Sequence, residues 1–435
     1  ITNDIDLAGE GGLVWIKNRT GAYWNVWFDT ERGGGQISSN QSDAELASSS
    51  NVAGYVSAYN SDGFSVSAGN SSSLSVNASG SNYASWTFRK APGFFDVVTY
   101  TGDDAASRSV AHNLGSVPGM VVVKDLGTNS WYVYHRSQGE GEYGVLNSTA
   151  AFASSTVIWG NTAPTSTHFY VGSSGGGTAV NGNGRTYVAY VFAHDDQSFG
   201  TDSDESIIKC GTFTATTGTN INLGFEPQFV LLKSTTSAAD WYTVDNMRGW
   251  GADQGSSDEF LSANTSAAEI SSTNSLGLTQ TGFTSFNGGG ETYIYMAIRR
   301  PHKPPTAGTE VFTPQATRSA TDGTPSELAY TSGFSTDLLW QIIRSGGTYN
   351  ATVLDRVRGD DLFLYTNGSG SEVTSTVWRF DSNEGIWLDG TYSAASNLGG
   401  LMFKRAPGFM DVTAWAGTGS AQTINHNLTV APELI

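Results

Sequence analysis

Val14-Trp15-Ile16-Lys17, Val121-Val122-Val123-Lys124, Val230-Leu231-Leu232-Lys233 and Gln341-Ile342-Ile343-Arg344 are four short apolar runs, each closed by a basic residue. The closing residues lie 107, 109 and 111 positions apart. A second landmark follows each run at the same period. It reads Phe28-Asp29-Thr30-Glu31-Arg32-Gly33, Val244-Asp245-Asn246-Met247-Arg248-Gly249 and Leu354-Asp355-Arg356-Val357-Arg358-Gly359, with the degenerate form Tyr134-His135-Arg136-Ser137-Gln138-Gly139. An Asn with a Glu five residues on is the third: Asn40/Glu45, Asn264/Glu269 and Asn367/Glu372, against Asn147 and Phe152. Self-similarity at a fixed period marks a tandem array.

Within a unit, apolar or alternating runs of four to eight residues are separated by Gly, Ser, Asn and Asp clusters, which reads as strands and turns. Thr186–Phe192 and Thr292–Ile298 alternate small or polar residues with large apolar ones, as a half-buried strand does. Helical periodicity over ten or more residues is absent; Ser42–Ser50 has room for one short helical turn. The fold class is therefore all-β: about four antiparallel, jelly-roll-like β-sandwich domains of about 105–110 residues. The expected units are 1–95, 96–205, 206–305, 306–410 and the start of a fifth, 411–435. Ile1 in place of Met, and an end at Ile435 inside an expected strand, read as a window of a longer polypeptide. Each sandwich is expected to have its own core, like beads on a string. The near-copies Lys90-Ala91-Pro92-Gly93-Phe94 and Arg405-Ala406-Pro407-Gly408-Phe409 read as tight turns that set the angle between neighbours.

Composition narrows the function. The 435 residues carry 22 Lys+Arg against 40 Asp+Glu, a formal charge of −18, which disfavours nucleic acid as a partner. Only 14% of residues are charged, while aromatics reach 12%, enough to build real cores. One cysteine, Cys210, excludes an intrachain disulfide and a Cys-based metal site. No run of 18 apolar residues proposes a membrane helix.

Signatures of catalysis fail on context. Gly172-Ser173-Ser174-Gly175-Gly176 fits a nucleophile elbow only formally, lacking the strand–turn–helix around it. Gly139-Glu140-Gly141-Glu142-Tyr143-Gly144 lacks a βαβ unit, and its glutamates would repel a pyrophosphate. The six histidines show no metal-ligand spacing, and His112 and His426 occupy one repeat position that reads as a turn. The Asp-x-x-Arg-Gly residues Asp29, Arg32, Asp245, Arg248, Asp355 and Arg358 read as a structural brace at a strand-to-loop corner, with carboxylate or sugar binding as the alternative. The Asn/Glu pairs offer oxygen ligands of the kind calcium takes, against an Asn-capped turn. Trp131, Trp159 and Trp250 are the candidate binding residues, able to stack on sugar faces, with burial in a core as the competing reading.

The order Val14–Arg19, Phe28–Gly33, Ser38–Asn40, Asp62–Phe64 and Trp86–Phe88 resembles the lectin-like β-sandwich modules found in tandem in virion proteins of tailed bacteriophages, the marine type notably. The resemblance covers nearly the whole chain and is weakest in the second unit. It implies a concanavalin- or SPRY-like sandwich and a place in the virion, in a tail fibre or adhesin. The expected function is thus non-enzymatic: a structural protein touching host surface glycans and other virion proteins, as a homo-oligomer such as a trimer. A capsid or tail decoration or scaffold protein without ligand, a bacterial cell-surface adhesin and a glycan-degrading tailspike are the rivals.

Overall fold

The structure is a computed structural model and describes all residues except 48–53, 70–74, 174–176, 201, 253–257, 320–327, 345–349, 360–361, 376 and 389–397. It is all-β, built from antiparallel sheets, with short 3-10 turns at Asn246–Arg248 and Gly308–Glu310. Residues 42–47 form no helical turn, and 48–50 lie outside the described residues. Residues 411–435 form no strand.

One sheet recurs in each unit. In unit 3 its strands run Ile208–Thr214, Thr292–Arg299, Pro227–Ser234, Tyr242–Asp245, Asp258–Ser262 and Ile270–Ser272 across the sheet. Units 2 and 4 repeat that six-stranded order; unit 1 forms the four-stranded part, Ile37–Ser38, Asn25–Asp29, Gly12–Asn18 and Tyr83–Arg89. A smaller sheet of two or three strands covers one face in each unit. Strand register aligns the units: Leu13 pairs with Asp29, Met120 with His135, Phe229 with Asp245 and Leu338 with Asp355. The residue equivalent to Lys17, Lys124 and Lys233 is consequently Ile342, not Arg344 as the basic-end pattern implies. Arg344 lies two residues further on and donates to the Ala316 carbonyl.

The larger correction concerns the core. Successive side chains in a strand point to opposite faces, and here both faces are apolar. Val14, Ile16, Val26 and Phe28 pack inside unit 1, but Leu13, Trp15 and Trp27 point the other way, into a core shared by units 1, 2 and 3. Unit 2 contributes Met120, Val122, Trp131, Tyr190 and Phe192, and unit 3 contributes Phe229, Leu231, Met296 and Ile298. These three units are not beads on a string. Their large sheets turn their outer faces inward and meet around an apolar void of about 10 Å³ lined by residues of all three. Trp15–Trp86, Trp27–Trp131 and Trp86–Phe229 ring contacts at 4.5, 5.1 and 6.0 Å tie the centre together. Unit 4 keeps a core of its own, around Tyr330, Leu339, Trp378 and Met402.

Candidate functional site

The polar motifs converge where the three sheets meet. In each Asp-x-x-Arg-Gly corner the aspartate accepts the arginine backbone N–H and its Nε–H, and the glycine adopts positive φ (67°, 94° and 95° at Gly33, Gly249 and Gly359). Only glycine takes that turn without steric cost. The Arg32, Arg248 and Arg358 guanidinium groups then donate to Glu45, Glu269 and Glu372 at 2.7–2.9 Å. The second and third landmarks are thus two ends of one brace. The Asn of the third landmark serves elsewhere: Asn40, Asn147 and Asn264 accept backbone N–H groups of Asn25, Trp131 and Trp241. The Asn and Glu of a pair thus face different partners instead of sharing a calcium ion. Among the described residues no group of three His, Cys, Asp or Glu side chains is placed to hold a metal.

The braces are joined across units, always in one rotational sense. Tyr190 of unit 2 donates its hydroxyl to Asp29 of unit 1 at 2.7 Å. Trp86 of unit 1 donates its indole N–H to Asp245 of unit 3 at 3.0 Å, with the Arg248 guanidinium 5.5 Å over its ring. Tyr190, Trp86 and Met296 are register equivalents, paired with Val122, Trp15 and Leu231. Met296 has no donor to give, which explains why unit 2 departs from the motif. Where an aspartate would stand unpaired, His135 instead donates Nε2–H to the Tyr295 carbonyl of unit 3 at 3.1 Å. Burial of this histidine lowers its pKa to about 4, so it is neutral at pH 7. Burial likewise pushes the Tyr190 hydroxyl well above its ordinary value, which keeps it a donor.

A second ring of contacts obeys the same rotation. The indole of Trp131 donates to the Ser38 and Gln41 carbonyls of unit 1, at 3.0 and 3.1 Å. Trp241 donates to the Val145 carbonyl of unit 2, and Asn25 to the Ser262 and Thr265 carbonyls of unit 3. Lys17 and Lys233 continue it: both are buried and donate to carbonyls of their own hairpin and of the next unit, Ser266 and Thr149. Burial lowers the pKa of Lys17, Lys124 and Lys233 to about 8. Units 1, 2 and 3 therefore form a closed ring with pseudo-threefold symmetry inside one chain.

This arrangement overturns the proposed binding tryptophans. Trp131, Trp159 and Trp250 are 0%, 2% and 0% exposed. Trp131 is an inter-unit contact; Trp159 and Trp250 bond to the Glu142 and Leu276 carbonyls of their own units. A tryptophan is large enough to be drawn into whichever core adjoins it. His112 and His426 both accept the N–H two residues on, from Leu114 and Leu428 at 3.3 Å, as turn residues. Ser173 of the formal elbow donates to Asp104; residues 174–176 lie outside the described residues.

Sequence reasoning missed Trp86, Tyr190 and His135 as the joining residues, and Glu226 with them. Glu226 is buried between Arg300 of unit 3 and Arg405 of unit 4, at 3.2 and 2.6 Å, and holds the fourth unit to the ring. The signal that was present is the wholly apolar strand, which requires partners on both faces. Open clefts lie among the described residues. One, of about 450 Å³, lies between units 1, 3 and 4 beside Phe64, Phe229, Asn246 and Asp381. Another, of about 720 Å³, runs beside Glu205, Arg299 and His302 near the unit 3–unit 4 linker.

No curated protein and no solved structure is found to be similar to this chain. A family model, the domain of unknown function DUF7483, matches residues 5–301, more than half of the sequence. The matched stretch coincides with the three-unit ring and stops short of unit 4. This chain belongs to the DUF7483 family.

Proposed function

We propose that the chain is a non-enzymatic structural protein of a bacteriophage virion, a stiff module of a tail fibre or adhesin. The observation that carries the structural part is the fate of the second-landmark corners: in units 1 to 3 each is engaged by a residue of a neighbouring unit. The likeness to tandem modules of tailed-phage virion proteins supports the setting. An acidic, cysteine-poor chain of closely packed sandwiches suits a particle outside the cell, where solubility and stiffness matter.

Burial of Trp131, Trp159 and Trp250 favours one rival over host-glycan contact: a decoration or scaffold protein without a ligand. In an adhesin, the cleft between units 1, 3 and 4 is the concave surface open to a glycan. Gold-labelled antibody against residues 96–205, applied to purified particles and viewed by electron microscopy, separates the readings. Label at fibre tips or the distal tail is expected for the fibre. Label spread over capsid or tail wall supports the decoration role, and label on cells alone overturns the virion assignment.

A further inference from the structure

The face that units 1 to 3 bury in their shared core is open in unit 4. Leu338, Trp340, Val353, Leu401 and Phe403 are the register equivalents of Leu13, Trp15, Trp27, Trp86 and Phe88. Trp15 is 2% exposed, whereas Trp340 is 41% exposed and Leu364, beside Val353, is 39% exposed. At the position of the buried lysines stands Ile342, which places an apolar side chain where units 1 to 3 carry an ammonium group.

The exit from unit 4 indicates what the face receives. Residues Arg405–Leu428 reproduce the turn, and the hydrogen bonds that close it, from the passage of unit 1 into unit 2, without its strands. The Ala91 N–H bonds to the Phe95 carbonyl, as Ala406 does to Met410; Gly93 bonds to Leu114, as Gly408 does to Leu428, both at 2.7 Å. The Asn113 N–H reaches Asp96 at 2.8 Å, and the Asn427 N–H reaches Asp411 at 2.7 Å. The exits of units 2 and 3, Ala193-His194-Asp195-Asp196 and Arg300-Pro301-His302-Lys303, carry no such turn. Unit 4 therefore stands where unit 1 stands. Its corner keeps Asp355, as unit 1 keeps Asp29, and Asp29 is the group that receives the Tyr190 hydroxyl of unit 2. A second unit 4 placed there would offer Leu401, which has no donor.

We propose that the exposed sheet face of unit 4 is the seat of a module of unit 2's kind, entered through Asp411–Leu428, so that the three-unit ring is itself the repeating element. The incoming module sets an aromatic hydroxyl or indole N–H against Asp355 and covers Trp340.

The test extends the full chain: residues 1–428 followed by a second copy of 115–301, with Trp340→Cys as the accessible thiol. Cys210 is buried, so it leaves the reading clear, and its copy reports whether the added modules fold. Maleimide labelling of the new thiol is expected to be fast in the 435-residue chain and slower by about tenfold or more in the extended one. Tyr190→Phe in the added copy is expected to restore part of the labelling. The proposal is overturned if the extended chain labels as fast as the parent. It is also overturned if the added Cys210 copy labels freely, since a true equivalent of unit 1 would support those modules. A 435-residue chain that sediments as an oligomer dissolved by Trp340→Glu overturns it as well, because the seat then belongs to a second copy.

Discussion

Replacing Trp131 by alanine separates the two roles this residue has been given. Its side chain is fully buried, 5.1 Å edge-on from the Trp27 ring and stacked 6.4 Å from Tyr190, in the core shared by three units. Truncating a buried tryptophan costs about 3–5 kcal/mol in lost transfer energy and cavity. The Ser38 and Gln41 carbonyls also lose their indole donor, and an acceptor left buried without a partner adds about 1 kcal/mol or more. The sum is about 4–7 kcal/mol, a large share of the 5–15 kcal/mol that holds a typical domain folded. Chemical denaturation followed by circular dichroism, with Trp340→Ala as control, measures it. The exposed Trp340 is expected to cost about 0.5 kcal/mol or less. Equal midpoints for the two variants would refute the inter-unit role. So would loss of glycan binding by Trp131→Ala with stability intact, which would restore the sugar-stacking reading.

Further outcomes follow from the same geometry. Because units 1 to 3 share one core, calorimetry of the whole chain is expected to show them melting in one transition; three separate transitions would contradict the ring. His135 makes the ring sensitive to acid: the unfolded imidazole takes up a proton near pH 6.5, the buried one only near pH 4. Stability is therefore complete above about pH 6.5 and falls by up to about 3 kcal/mol as pH drops to 4. His194, held at about 4 by burial and by Arg136, titrates in the same window, so His135→Gln is expected to flatten the pH profile in part. Glu226→Gln removes the nearest countercharge of the buried Arg405 guanidinium, which keeps Asp411 and Asp337 at 3.6 and 3.8 Å, and weakens the unit 3–unit 4 joint by about 1.5–3 kcal/mol. Limited proteolysis is expected to cut this variant within 301–308 while the ring survives, and an uncut linker would argue against that joint.

The period, the strands and the corner braces are legible in the sequence because each is local: Asp and Arg three apart, a glycine after them, strands bounded by turns. The ring is not local. Trp86 and Asp245 are 159 positions apart, and neither residue announces the other. The pattern Val14-Trp15-Ile16 does announce that both faces are buried, but a sandwich with its own core accounts for only one of them. The basic-end landmark misled in unit 4 because Arg344 mimics the lysines by composition while the register places Ile342 there. Trp131, Trp159 and Trp250 misled for a related reason, since an aromatic residue that covers a sugar and one that fills a core look alike as letters.

A rotationally closed joint also restricts how these repeats diverge. The partner of Asp29 is Tyr190, that of Asp245 is Trp86, and His135 faces the strand that carries Met296. A change at any corner is answered in the neighbouring unit as well as in its own brace. Each unit has thereby acquired a fixed address in the chain, and exchanging units 2 and 3 wholesale would set a methionine against an aspartate while every unit kept its own fold.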